Sequence, residues 1–143
     1  MKQIFLGLIA LVSLFGFAAN SQATELVVGT GFDFPGALTN ATELCQSKKM
    51  AVSRVIKMAH ASNYYRAQVI CAENSEIKKL VVGLAYQYRS VGGISLDDLA
   101  GAVQNIKDQC TKWARESGVT LKDTTVETYD TNGSSLWVAG GCK

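Results

Sequence analysis

The stretch Tyr64-Tyr-Arg-Ala-Gln-Val-Ile-Cys-Ala72 is rich in aromatic and β-branched side chains and alternates larger polar with smaller apolar ones. That is the composition of a strand with two unlike faces. Leu80-Val-Val-Gly-Leu-Ala-Tyr-Gln-Tyr-Arg89 has the same character, and the polar run Glu73–Lys79 between them suits a hairpin loop. With the loop centred near Glu76, Tyr64 opposes Tyr88, Arg66 opposes Tyr86 and Gln68 opposes Leu84. One face of the hairpin then carries Tyr64, Arg66, Gln68, Ile70, Leu84, Tyr86 and Tyr88. The other carries Ala67, Val69, Cys71, Val81, Gly83 and Ala85, small enough to receive a helix and leave the tyrosine-rich face open.

Upstream, Glu25–Thr30 is short, apolar and β-branched, and reads as a buried strand. Gly29, Gly31 and Pro35-Gly36 break it, with Pro35 placed in the connection to a helix. Thr39 or Asn40 can cap that helix. Ala41, Leu44, Cys45, Val52, Val55, Ile56 and Ala59 recur at helical spacing and carry it to Ser62-Asn63. Downstream, Ser95 caps a second helix with Asp97 and Asp98 in its first turn, where carboxylates complement the dipole. Its apolar stripe is Leu96, Leu99, Val103, Ile106, Cys110 and Trp113, and Gly118 stops it. Val119–Tyr129 alternates loosely, Asp130–Gly133 signals a hairpin turn, and Ser135–Ala139 forms a last strand. No internal repeat is visible.

This order predicts an α+β fold: a two-layer sandwich of one antiparallel sheet with two helices on one face. The topology is a ferredoxin-like βαββαβ plus a C-terminal strand. A curved antiparallel sheet wrapped around one dominant helix is the alternative.

Met1–Ala23 has the layout of a secretory signal peptide: Lys2, then an uncharged apolar run Ile4–Ala19, then small residues at Ser21 and Ala23 before a cut. The apolar run is 16 residues, short of the roughly 20 a membrane-spanning helix needs. Residues 24–143 are then a single exported domain, periplasmic or secreted, with no membrane insertion once the leader is gone. Loss of Lys2 leaves 13 basic and 12 acidic side chains from the full 14 and 12, a net charge of +1. Such a balance offers nucleic acid no electrostatic hold.

Cys45, Cys71, Cys110 and Cys142 form an even set without a Cys-x-x-Cys, which in an exported chain reads as two disulfides rather than a metal site. Chain direction favours Cys45–Cys71 and Cys110–Cys142, with all four toward one end of the sandwich; Cys45–Cys110 is also geometrically open. Each favoured bond closes a loop of roughly 30 residues, worth roughly 3 kcal/mol by chain entropy.

No catalytic set assembles and no cofactor is implied. His60 is the only histidine, and at the end of the first helix it complements the dipole. Gly29-Thr-Gly31 lacks the third glycine and the Lys-Ser/Thr ending of a phosphate loop, and adjacent Asp97 and Asp98 do not face each other on a helix. Two sequons, at Asn40 and Asn132, matter only in a glycosylating host.

The expectation is a small non-catalytic binding module, an inhibitor, immunity-type or envelope accessory protein, that meets another protein or itself through Tyr64, Arg66, Gln68, Leu84, Tyr86 and Tyr88. Tyrosine and arginine suit that role because they combine apolar area with directed polar groups. The alternatives are a small-ligand carrier or enzyme using His60, Arg66 and Asp97, and a structural envelope subunit.

Overall fold

A computed structural model describes residues 23–86, 96–132 and 135–143. Residues 1–22 of the expected leader, the Ser95 cap, Tyr88 and the Gly133 turn position lie outside them. The fold is α+β with antiparallel strands and two helices, as the sequence predicts. Its elements are β1 (Thr24–Gly31), α1 (Phe34–Ser47), β2 (Ala51–Ala61), β3 (Tyr64–Ala72), β4 (Lys79–Tyr86), α2 (Leu96–Ser117), β5 (Thr124–Asn132) and β6 (Ser135–Cys142). The strands form two three-stranded sheets, β1-β3-β2 and β4-β6-β5, where a single sheet was expected. Each sheet comes from one β-α-β-β run whose last strand sits in the centre, so the chain builds the same unit twice. Unequal helices, 14 and 22 residues, hide this repeat from sequence spacing; its trace is the tetrapeptide Leu-Val-Val-Gly at 26–29 and 80–83.

The expected long first helix is half helix and half strand. Asp33, rather than Thr39 or Asn40, is the cap, its Oδ1 accepting from Gly36 N at 2.7 Å, and Pro35 lies in the first turn, where its missing N–H costs nothing. The helix ends at Ser47, and the chain reverses through Lys49, held at φ 58°. Val52, Val55 and Met58 then face inward from β2 at three-residue spacing because the strand is irregular between Val52 and Arg54 and again between Val55 and Lys57. Each bulge adds a residue to the period of two, and the sum imitates a helical stripe.

The expected hairpin of Tyr64–Ala72 with Leu80–Arg89 does not form. Strand β3 has both edges filled, by β1 and by β2, and β4 pairs with β6. The connecting segment crosses between sheets and is pinned there. Ser75 Oγ donates to Val52 O at 2.5 Å, Ile77 N donates to Ser75 Oγ at 3.0 Å, and Ile77 is buried.

Each helix lies close on its own sheet because a glycine sits beneath it. An added Cβ on Gly29 would stand 2.1 Å from Ala37 O, and one on Gly83 2.3 Å from Ala102 O. The buried positions of each helix follow in steps of four residues, Ala37, Ala41 and Cys45 in α1 and, correspondingly, Ala102, Ile106 and Cys110 in α2. Sheet β4-β6-β5 is used on both faces. Val81, Leu136 and Val138 pack under α2, while Leu80, Val82, Trp137 and Ala139 join the core around α1. Phe34 links the halves, with its ring 4.7 Å from that of Tyr65 and 5.7 Å from that of Trp137.

The disulfides are Cys45–Cys71 and Cys110–Cys142, each joining a helix to the central strand of its own sheet with Cα atoms 5.4 Å apart. Strands β2 and β5 run side by side in the same direction, as the contacts Val55–Glu127 and His60–Asp130 show. Cys71 pairs with Glu25 and Val52 at the starts of their strands, and Cys142 with Lys79 and Thr124, so both bonds brace one end. Phe32, Tyr64, Tyr65 and the Ser62-Asn63 turn occupy the other.

Candidate functional site

The face of β1-β3-β2 that points away from α1 is set by register. Cys71, Val69 and Ala67 point into the core, so Ile70, Gln68, Arg66 and Tyr64 point out. Their partners share that side: Leu26, Val28 and Thr30 on β1, and Arg54, Lys57 and Ala59 on β2. This face is open, with Leu26 58%, Val28 42% and Tyr64 37% exposed. Phe32, next along the chain from β1, is 96% exposed at the same end as Tyr64.

Among the described residues, the charged groups on this face have one sign. Arg54, Lys57 and Arg66 are exposed and have no carboxylate partner among the described residues. Arg66 instead lies over the Tyr64 ring, its guanidinium carbon 4.8 Å from the centroid, and donates through Nη2 to Tyr64 Oη. The stacked pair keeps both long side chains in one arrangement, which lowers the entropy a partner would have to remove.

Of the expected contact residues, the structure brings together Tyr64, Arg66 and Gln68 on β3 and separates the rest. Leu84 is in β4, opposite Trp137, on the face of its sheet turned from α2. The backbone of Tyr86 pairs with Ser135, and Tyr88 lies outside the described residues. Leu26, Val28, Arg54, Lys57 and Phe32 were missed. Arg54 and Lys57 fall within the stretch whose apolar spacing predicts a helix, and β1 reads as a buried strand because its alternation is masked by three apolar residues in a row.

His60 is on β2, not at a helix end. Its Nδ1 is 2.6 Å from Asp130 Oδ2 of β5, with the Tyr65 ring beside it. Three residues back from Asp130, Glu127 bridges the same junction, accepting from Val55 N at 3.2 Å and from Thr125 Oγ1 at 2.7 Å. The His60–Asp130 and Val55–Glu127 contacts join the two sheets, whose facing strands form no ladder with each other, and the second lies where both strands are bulged. Arg66 points to the open face and His60, paired with Tyr65, to the other, so these two members of the carrier or enzyme set do not meet; the Asp97 side chain lies outside the described residues. A cleft of about 490 Å³ runs between α1 and β4, lined by Leu38, Thr42, Gln46, Lys79, Val82 and Gln109 among others. No group of metal-ligating side chains occurs among the described residues, and no described helix is long and apolar enough to cross a membrane.

Comparison of the chain with family models, with curated proteins and with solved structures finds no match.

Proposed function

We infer that this chain is a small exported binding module that acts by protein contact, and that its contact surface is the open face around Tyr64, Arg66 and Gln68. The observation that carries this reading is the collection on one sheet face of three cations with no carboxylate partner among the described residues, one of them, Arg66, stacked on Tyr64, beside exposed Leu26 and Val28. The partner this face fits is a protein with an acidic surface around an apolar centre. Export is supported by the leader-like Met1–Ala23, by two disulfides of the kind oxidising compartments maintain, and by β1 beginning at Thr24, the residue after the expected cut.

The test is capture from an envelope extract on the immobilised oxidised protein, followed by titration of the purified partner. Arg66→Glu and Tyr64→Ala should each weaken binding about tenfold or more while leaving Tm within about 2 °C of the parent. Binding that both variants retain in full removes the surface from the proposal. A second reading, a small-ligand carrier, rests on the cleft beside β4, whose volume is in the range of ligand sites. A saturable stabiliser in a thermal-shift screen, abolished by Thr42→Trp, would favour it.

A further inference from the structure

The two sheets have four outer edges, and three of them are guarded. Strand β2 is bulged twice, lies against β5, and gives its Val55 N–H to Glu127. Strand β5 is bulged between Val126 and Thr128. On β4 the Gln109 side chain donates to Val82 O at 2.6 Å. Bulges and side chains laid across an edge are the usual means of keeping strands from pairing with other chains.

Among the described residues, strand β1 has none of this along its centre. Its register against β3 is unbroken from Thr24 to Gly31, and it has neither proline nor lysine. Its one charge, Glu25, is taken by Lys48 Nζ at 2.6 Å. At the far end Asn40 Nδ2 donates to Thr30 O. Asn40, Leu44 and Lys48 are successive four-residue steps of α1 and its cap, so the contacts at both ends place Leu44 along the same strand between them. Leu44 is 41% exposed. The edge is therefore flanked by exposed apolar side chains on both faces, Leu26 and Val28 on one and Leu44 on the other.

We propose that two copies of this chain join through β1, edge to edge and antiparallel, about a two-fold axis through Val27. The pairing continues each sheet into one of six strands, β2-β3-β1 followed by the same order reversed. Keeping both open faces on one side requires that paired residue numbers sum to an even value, because side chains alternate. Centred on Val27, Leu26 opposes the partner's Val28 and Val28 opposes the partner's Leu26, an apolar row bordered by Ile70 and Gln68 of β3. Glu25 opposes the partner's Gly29, so the only charges on the strand do not meet. This self-complementarity favours a second copy over a foreign strand. On the other face α1 contacts both β1 and β3. That position sets the two helices roughly 10 Å apart when the β1 strands pair at roughly 5 Å, with Leu44 of each copy filling the gap. The cations stay clear of the junction, so the proposal does not depend on what the open face binds.

Sedimentation equilibrium of the oxidised, exported protein over a wide concentration range tests the dimer. The expected result is a monomer–dimer equilibrium that Leu26→Lys, Val28→Lys or Leu44→Lys each weakens about tenfold or more, since an edge lysine opposes strand pairing. Arg66→Glu should dimerise as the parent does. Hydrogen exchange on the unmodified protein is the second readout: the Leu26 and Val28 amides should slow as concentration rises. A monomer at every concentration overturns the proposal. So does a dimer that survives both β1 lysines, one abolished by Arg66→Glu alone, or Leu26 and Val28 amides indifferent to concentration.

Discussion

At Gly29 and Gly83 the sequence has glycine for room rather than for turning. The nearest atoms to a new Cβ are backbone oxygens of α1 and α2, which cannot move without lifting the helix from its sheet. Gly29→Ala and Gly83→Ala should therefore each cost about 2 kcal/mol or more in urea unfolding, the range for overpacking a close contact. Gly101, in α2 with nothing within 4 Å, is the contrasting case. Gly101→Ala should add about 1 kcal/mol, the helix-propensity difference. Lys49 holds a left-handed conformation at φ 58° that a side chain disfavours. Lys49→Gly should raise stability by about 1 kcal/mol in the same assay, because the turn needs that geometry and glycine adopts it without the steric cost a Cβ brings. Gly118, at φ 65° after α2, was legible as a helix stop for the same physical reason.

Among the elements, β2 is where sequence reading and structure part. The bulges that disguised it as a helix also break its edge, and the corresponding irregularity in β5 leaves the two strands adjacent without a ladder. Glu127 fills that gap by accepting the Val55 N–H, and Val55 is only 1% exposed. Glu127→Ala leaves a buried donor unsatisfied and should cost about 1–3 kcal/mol by denaturant unfolding. Glu127→Gln keeps an acceptor there and should cost clearly less. By contrast α2 was readable almost to its ends. Ala102, Ile106, Cys110 and Ala114 line its buried side, and the expected Leu99 and Trp113 pack at the margin. Of the expected stripe Ile106 and Cys110 are buried, while Ala102 and Ala114 are not in it, but an exposed face of charged and amide residues left the helix itself plain. In α1 and β2 two different periods run together without a break that composition reveals.

For the molecule as a whole, the repeated unit does not mean two independent halves. The core around α1 includes Ala139 and is closed by Leu80, Val82 and Trp137 from the second unit. Neither unit can bury its apolar face alone, so unfolding should be a single transition by far-ultraviolet circular dichroism and by tryptophan fluorescence alike. Removing one disulfide with Cys45→Ala and Cys71→Ala, which opens a 26-residue separation, should shift that whole transition by roughly 3 kcal/mol and not split it. Two coincidence-breaking steps would show that the units unfold separately. Salt has its effect at this scale too. On the proposed reading, Arg54, Lys57 and Arg66 of the open face would steer an acidic partner, so association should slow as ionic strength rises while unfolding is nearly unaffected.

By itself the sequence determined the α+β class, α2, the strands β1, β3 and β6, and the two faces of β3, because each rests on a local pattern of apolar spacing. Chain direction also favoured the disulfide pairs now seen, since each cysteine lies near the end of an element whose neighbour could be inferred. Only the tertiary structure decided which strands meet. A strand with both edges occupied cannot form a hairpin with the next one, and edge occupancy is a property of the assembled sheet, not of any segment. For that reason the open face holds half of the expected residues together with Leu26, Val28, Arg54 and Lys57, whose common side exists only once β1, β3 and β2 are in register.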